Sequence, residues 1–222
     1  MNLESRGGSL RRDMAIIAGL TLPFLLNDFS NIFVRDYRLW LAIDYIFVKA
    51  VPLALLACLL RARKISYADL GLKSVRVGSF IIWTVTMTVL GTLLDQYGSR
   101  ILVALLPDTR LGSMPRITDP LLDQLDLHFG LMAVALVEEV IFRGLYFTIL
   151  ARYMTSVTGV FVLSSLLFGL IHWSLGVSAV AHTSIIGAVF MACMWKTRSV
   201  LPTTIAHFCV NYVAFSGILH RL

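Results

Sequence analysis

Residues 128–150 read HFGLMAVALVEEVIFRGLYFTIL. As a helix, this apolar run is long enough to cross about 30 Å of hydrocarbon. Two glutamates and an arginine lie near its middle, at a depth where an ionisable side chain is costly and is a functional candidate by default. The run therefore predicts a membrane-spanning helix that carries part of a functional site.

The rest of the chain shares this apolar character. Of 222 residues, 58% are hydrophobic and 14% are charged, and the mean hydropathy is +0.81. A soluble domain of this length needs more polar surface. We predict an all-α fold, a polytopic membrane bundle of about seven helices, with six and eight also allowed. The predicted spans are residues 14–34, 39–60, 77–94, 128–150, 157–175, 177–195 and 199–219.

The net charge of +6 reflects basic residues at the cytoplasmic ends of membrane helices rather than a nucleic-acid partner. Arginines and lysines concentrate in the N-terminal tail and in the loop 61–76, whereas residues 95–127 are rich in aspartate. We expect a cytoplasmic N-terminus and a first span that acts as an uncleaved signal anchor. Residues 95–127 would be the longest polar connection, outside the cytoplasm, with a short amphipathic piece near 99–106 on the membrane surface.

The polar centre of residues 128–150 separates into two roles. Glu139 and Arg143 are four residues apart on one helical face, so they can form an ion pair that supports the site. Glu138 points about 100° away and is not neutralised by that pair. It has the position of a general base that takes a proton from water. A purely structural charge network between helices explains these three residues about equally well.

All three later predicted helices carry histidines, and two of these histidines lie in polar motifs. Phe168 and His172 share one helical face, and His207 and Asn211 share another. A buried imidazole can orient water, and a histidine–asparagine pair offers two donors to an oxyanion. A lone histidine on an apolar helix is more often a hydrogen-bonded core residue, and we interpret His182 in that way.

Together, these helices offer the inventory of a hydrolase without a covalent nucleophile. The sequence has no Gly-x-Ser-x-Gly and no His-Glu-x-x-His motif, which disfavours a serine protease and a zincin. One glutamate and two histidines could bind a divalent metal, so no cofactor is firmly predicted. Asp44 and Lys49 are expected to form an ion pair with each other rather than to support the site.

Three motifs occur in order on the fourth, fifth and seventh predicted helices, with Lys196–Pro202 leading into the third. They are Glu138-Glu139-x-x-x-Arg143, Phe168-x-x-x-His172 and His207-x-x-x-Asn211. In this order they resemble the CPBP family, which comprises CAAX prenyl proteases and bacteriocin-processing or Abi proteins and is described as intramembrane glutamic-type endopeptidases. The resemblance covers about residues 128–215.

The resemblance implies a role for each motif. Glu138, helped by His172, would activate the attacking water. His207 and Asn211 would form the oxyanion hole, and the Glu139–Arg143 pair would hold the site together. The chain would divide into a variable N-terminal membrane region with an extracytoplasmic loop, 1–127, and a catalytic core, 128–222.

The resemblance leaves the substrate open. A prenylated protein, a leader peptide and a C-terminal sorting signal all fit a membrane-associated or lipid-anchored protein or peptide. The expected location is the plasma membrane of a bacterium. The oligomeric state is not predicted.

Two other classes of function fit buried glutamate, arginine and histidine. A small proton-coupled carrier uses such groups, although carriers typically show repeats and broken helices in both halves. A noncatalytic membrane partner or immunity protein could keep the same fold. Span counting also places His172 nearer the outer end of its helix than Glu138 and His207. Its assignment therefore requires a position within about one water-bridged contact of Glu138.

Overall fold

The computed structural model describes residues 10–218. Within these residues the chain forms helices and no strand, in agreement with the predicted all-α bundle. The helices are α1 (Leu10–Phe33), α2 (Tyr37–Arg61), α3 (Val77–Leu105), α4 (120–150), α5 (Val157–Leu170), α6 (Val177–Thr197) and α7 (Leu201–Ser216).

Four of these helices, α1, α2, α3 and α6, are long and apolar enough to cross a membrane, and α5 is a shorter apolar helix. The chain is an integral membrane protein. A count of seven spans requires α4, α5 and α7 to cross as well, and it stays a prediction.

The polar connection after α3 is shorter than predicted. The expected surface piece near 99–106 is the continuation of α3, which reaches Leu105 through a wide π-helical turn at Leu94–Gly98. The helix ends because Pro107 disfavours helical backbone at the residue before it, and Leu106 is extended. Helix α4 then begins at Pro120, where the Asp119 carboxylate accepts hydrogen bonds from two backbone N–H groups of the first turn.

The predicted span 157–175 is also shorter in the structure. Helix α5 ends at Leu170, and a single 3₁₀ turn, Trp173–Leu175, follows it. Gly176 then takes φ +93, a backbone conformation that favours glycine, before α6 begins. His172 therefore lies in the connection after α5 and not on the helix itself.

Helix α4 is the centre of the bundle. Every residue from 137 to 147 is buried, as expected for a helix that other helices surround on all sides. Phe142 packs edge-on against Phe24 of α1, and the Tyr146 hydroxyl donates to the Ile17 carbonyl at 2.8 Å. In helix α3, by contrast, only 11% of the most apolar stretch is buried, and most of the helix surface faces outward. The site-bearing part of α4 is thus held from every side.

Wide π-helical turns occur where α2, α3 and α4 carry ionisable residues. Within residues 10–218 these turns are Tyr45–Ala50, Leu94–Gly98, Asp126–Gly130 and Glu139–Leu145. Such turns are rare in helices overall, and those that do occur often lie at functional sites. In the last of them, the Tyr146 N–H donates to the Ile141 carbonyl, five residues back. The backbone is therefore non-standard at the point where Glu139 and Arg143 leave the helix.

Candidate active site

Glu139 and Arg143 form the predicted ion pair in a sealed part of the bundle. Glu139 Oε1 lies 3.2 Å from Arg143 Nη1, and the two side chains are 0% and 1% exposed. The guanidinium carbon lies 3.8 Å from the centre of the Phe168 ring and 5.8 Å from that of Phe190. Aromatic faces stabilise a cation from which water is excluded. This pair therefore connects α4 to α5 and α6.

His207 joins this pair, a contact that the spacing of the motifs did not predict. Its Nδ1 lies 2.9 Å from Glu139 Oε1, and because a carboxylate can only accept, Nδ1 carries the proton. In the neutral imidazole, Nε2 then has a lone pair, and only the charged imidazolium can donate through it. His207 can therefore serve an oxyanion hole only in its protonated form.

Glu138 faces a different environment. Its residue surface is 6% exposed, and the side chain lines a cavity of about 850 Å³ between the helices. His207 Nε2 lies 3.7 Å from Glu138 Oε2, beyond ordinary hydrogen-bond length. Glu138 is neither turned toward lipid nor bound to Arg143. This is the arrangement that a reacting carboxylate requires.

The same cavity collects the other predicted catalytic residues. His172 and Asn211 both line it, together with Glu138 and His207. The His172 Nδ1 lies 3.2 Å from the Phe168 carbonyl, so Nδ1 donates there and Nε2 is left as an acceptor. Within residues 10–218, His172 and Glu138 make no direct hydrogen bond. The bridge of one water that its assignment requires stays a prediction.

Comparison with protein families matches residues 122–213 to the type II CAAX prenyl endopeptidase Rce1-like family. Residues 122–213 are similar to that family, and this part of the chain is called the Rce1-like domain below. The Rce1-like proteins are a protease family, which supports a peptidase. No curated protein and no solved structure matches the chain.

The match contains all three motifs, as the CPBP resemblance led us to expect. It begins six residues before the expected start of the core at 128. The division of the chain at residue 127 stays a prediction.

The helices before the Rce1-like domain also line the cavity, which sequence analysis missed. Asn27, Asp28 and Asn31 of α1 lie on its wall with Asp44 and Lys49 of α2. Asp44 and Lys49 form the predicted ion pair with each other. The sequence did carry a signal for these residues, namely the run of polar residues inside an otherwise apolar first span. The motifs alone could not indicate which side of the Rce1-like domain these residues would face.

His182, interpreted from the sequence as structural, lies on the wall of the same cavity. Its Nε2 is 4.0 Å from Asp95 Oδ1, on α3. The contact joins α6 to α3 outside the three motifs of the Rce1-like domain. Nothing in this geometry brings His182 to Glu138.

The free nitrogens of the two site histidines bear on whether the cavity could hold a metal ion. Among the described residues, no group of three or more His, Cys, Asp and Glu side chains could hold a metal ion. His207 Nδ1 is bound to Glu139 and His172 Nδ1 faces a backbone carbonyl, so each imidazole has one nitrogen left. A free imidazole nitrogen of this kind suits a water or a metal ion equally, and what is missing within residues 10–218 is a group of three ligands that converge on one point.

Proposed function

We propose that this protein is an intramembrane endopeptidase that hydrolyses a peptide bond of a membrane-associated or lipid-anchored protein or peptide. Glu138 activates the attacking water. The observation that carries the proposal is that Glu138, 6% exposed, lines a cavity with His172, His207 and Asn211 while its neighbour Glu139 takes the arginine. The Rce1-like domain, from a protease family, supports the same reaction class.

In the first step, the Glu138 carboxylate takes a proton from water while the water oxygen bonds to the scissile carbonyl carbon. The lone pair on His172 Nε2 accepts the second water proton in a hydrogen bond and so orients the nucleophile. The carbonyl oxygen becomes an oxyanion, which accepts hydrogen bonds from the Asn211 amide and from Nε2–H of protonated His207. Each group lines the cavity in which these atoms would meet.

In the second step, the C–N bond breaks and Glu138 gives its proton to the leaving nitrogen, which departs as an amine. The water oxygen remains in the new carboxyl group, and Glu138 returns to its starting state. No covalent bond to the enzyme forms. Glu139 does not react in this scheme. It holds His207 by the 2.9 Å bond to Nδ1 and so directs Nε2 toward the oxyanion.

The proposed setting is a bacterial plasma membrane with the N-terminus in the cytoplasm. Support comes from the basic N-terminal tail and loop 61–76, since positive residues favour the cytoplasmic side. Cysteine accessibility labelling at Arg63 and at Asp108, in intact cells, tests the orientation. The account predicts labelling from outside at position 108 and not at position 63.

The experiment is a comparison of protein fragments in cells that make wild-type or Glu138→Gln protein at equal levels. New N- and C-termini of membrane proteins that appear only with the wild type support the endopeptidase. Asp36→Asn, an exposed change to an equally good helix cap, is the matched control. Identical fragment sets for wild type and Glu138→Gln would refute the proposal and favour the noncatalytic partner.

A further inference from the structure

The connection that carries His172 is fastened by a carboxylate far away in the sequence. Asp28 lies in a short turn that interrupts α1 between Asn27 and Ser30, and it is 5% exposed. One of its oxygens, Oδ2, accepts the Ser174 backbone N–H at 2.6 Å, and the other, Oδ1, accepts Asn31 Nδ2–H at 2.9 Å. Ser174 is two residues from His172, within the same 3₁₀ turn region. Helix α1 therefore directly contacts the backbone next to a proposed active-site residue.

The orientation of the Asn31 amide is fixed by two other neighbours. Trp40 Nε1 donates to Asn31 Oδ1 at 2.9 Å, and Asn31 Nδ2 donates to Ser174 Oγ at 2.9 Å as well as to Asp28. A flipped amide would place its N–H₂ against the Trp40 N–H, and two donors would then face each other. Both Asp28 oxygens consequently accept hydrogen bonds from donors whose positions are fixed.

Further bonds hold the same turn against the N-terminal half. The Ser174 carbonyl accepts the N–H groups of Leu111 and Gly112 at 2.9 and 3.2 Å. Trp173 Nε1 donates to the Leu25 carbonyl at 3.1 Å. A Cβ at Gly112 would lie 2.8 Å from the Ile32 nitrogen, so only glycine allows this close approach. The turn after α5 is thus fastened to α1 and to the loop before α4.

Asp28 is a costly choice for a purely structural tie. A buried carboxylate without a cationic partner carries a large desolvation penalty, and within residues 10–218 no basic side chain forms an ion pair with it. Its hydrogen bonds offset that cost only while both donors stay in place. The carboxylate therefore holds the turn to one geometry. A misplacement of about 1 Å at a catalytic group can lower a rate about 100-fold.

We propose that Asp28 is a positioning residue that, with Asn31, fixes the turn after α5 so that His172 Nε2 faces the cavity. The proposal rests on the proposed function, because His172 is assigned to the reaction there. It makes α1 a working part of the active site of the Rce1-like domain, although α1 lies outside the matched residues.

The test exchanges the two side chains. Asp28→Asn alone places an amide N–H₂ against a donor, and Asn31→Asp alone places two carboxylates against each other. In the double variant, the amide at position 28 donates to the carboxylate at position 31, which also accepts from Trp40 and from the Ser174 hydroxyl. Every hydrogen bond is then restored with the same atoms present.

Two readouts are taken on full-length protein in lipid nanodiscs. The first is kcat and KM for a quenched fluorescent peptide that ends in a farnesylated CAAX sequence. The second is backbone hydrogen exchange at residues 171–176, which needs no proteolysis. We expect each single variant to lose roughly 10- to 100-fold in kcat with KM within about twofold, and to exchange faster in this turn. The double variant recovers both values, and Asp36→Asn changes neither.

The outcomes distinguish this proposal from the proposed function. Wild type that does not cleave the farnesylated peptide excludes that substrate class, and the fragment comparison with Glu138→Gln then decides the function, whereas exchange at 171–176 still tests the tie between α1 and the turn. If Asp28→Asn leaves kcat and exchange unchanged, Asp28 positions nothing. If the double variant is as impaired as the singles, the paired geometry is not the cause. A loss of folded yield with unchanged kcat would show a structural role alone and would also overturn the proposal.

Discussion

Helix α4 has a closed side and an open side, and adjacent glutamates face them. On the closed side, Glu139 and Arg143 are excluded from solvent, and the Arg143 guanidinium lies near the rings of Phe168 and Phe190. On the open side, Glu138 borders a cavity of about 850 Å³ lined by imidazole and amide groups. In the proposed function, these two chemically identical side chains, one residue apart, have different tasks. The closed side holds the helices together, and the open side leaves a carboxylate able to react.

His207 connects the two sides. One ring nitrogen binds Glu139, and the other lies 3.7 Å from Glu138. The bond to Glu139 determines the tautomer and the orientation of this imidazole ring. The free nitrogen, Nε2, then faces the open side. The comparison implies that changes on the closed side act first on stability and changes on the open side act first on rate.

The largest expected effect is on the closed side. Glu139→Gln removes the ion-pair partner of the Arg143 guanidinium at a position that is 1% exposed. Removal of one partner of a buried ion pair costs about 3–5 kcal/mol. We expect a loss of this size in the free energy of unfolding, measured by denaturant titration in detergent micelles. The exposed change Asp36→Asn is the control. A loss below about 1 kcal/mol would show that the ion pair does not hold the closed side.

On the open side, Asn211→Leu replaces an amide donor with an apolar side chain of similar size. Asn211 is half-buried and lies on the cavity wall. Loss of one oxyanion-hole donor lowers kcat about 10²- to 10³-fold. We expect this loss with little change in KM or in unfolding, measured by steady-state cleavage of the farnesylated probe. An effect confined to KM would assign Asn211 to substrate binding instead.

A smaller effect is expected where the open side has its own ion pair. Asp44→Asn leaves buried Lys49 without its partner, which costs about 1–3 kcal/mol of stability. The double change Asp44→Asn with Lys49→Met removes both charges and should regain most of that loss. Denaturant unfolding of the wild type, both singles and the double provides the test. Additive losses would mean that the two residues do not interact.

The smallest expected effect is that of metal removal. Within residues 10–218, no three metal-binding side chains form a group that could hold a metal ion. The proposed reaction also has no step that requires a metal ion. We expect treatment with a chelator, followed by gel filtration, to leave the cleavage rate within about twofold. A rate that falls tenfold and returns on addition of one divalent ion would contradict the water-only reaction.

Sequence patterns predicted the parts of the structure that depend on local spacing. The apolar runs indicated the helices, and the four-residue spacing of Glu139 and Arg143 indicated their ion pair. Three motifs indicated which residues would meet, and all four predicted catalytic residues line one cavity. The roles of those residues stay predictions.

Long-range contacts were out of reach of such patterns. The bond between His207 and Glu139 joins residues on different helices, and no spacing rule specifies it. Asp28 accepts the Ser174 N–H across 146 residues of sequence, in the turn that follows the end of α5 at Leu170. Local hydrophobicity favoured a helix to residue 175, and no local pattern indicated this turn or its partner. A polar residue in an apolar span signals importance without naming its partner.

The most direct test of the account is the cleavage rate of Glu138→Gln protein in nanodiscs, per mole of folded protein, with the farnesylated probe. The amide keeps the size of the side chain but cannot take a proton from water. We predict a loss of at least about 10³-fold, with thermal unfolding unchanged within about 2 °C. A variant that stays folded and retains more than a tenth of the wild-type rate would contradict the claim that Glu138 is the reacting carboxylate.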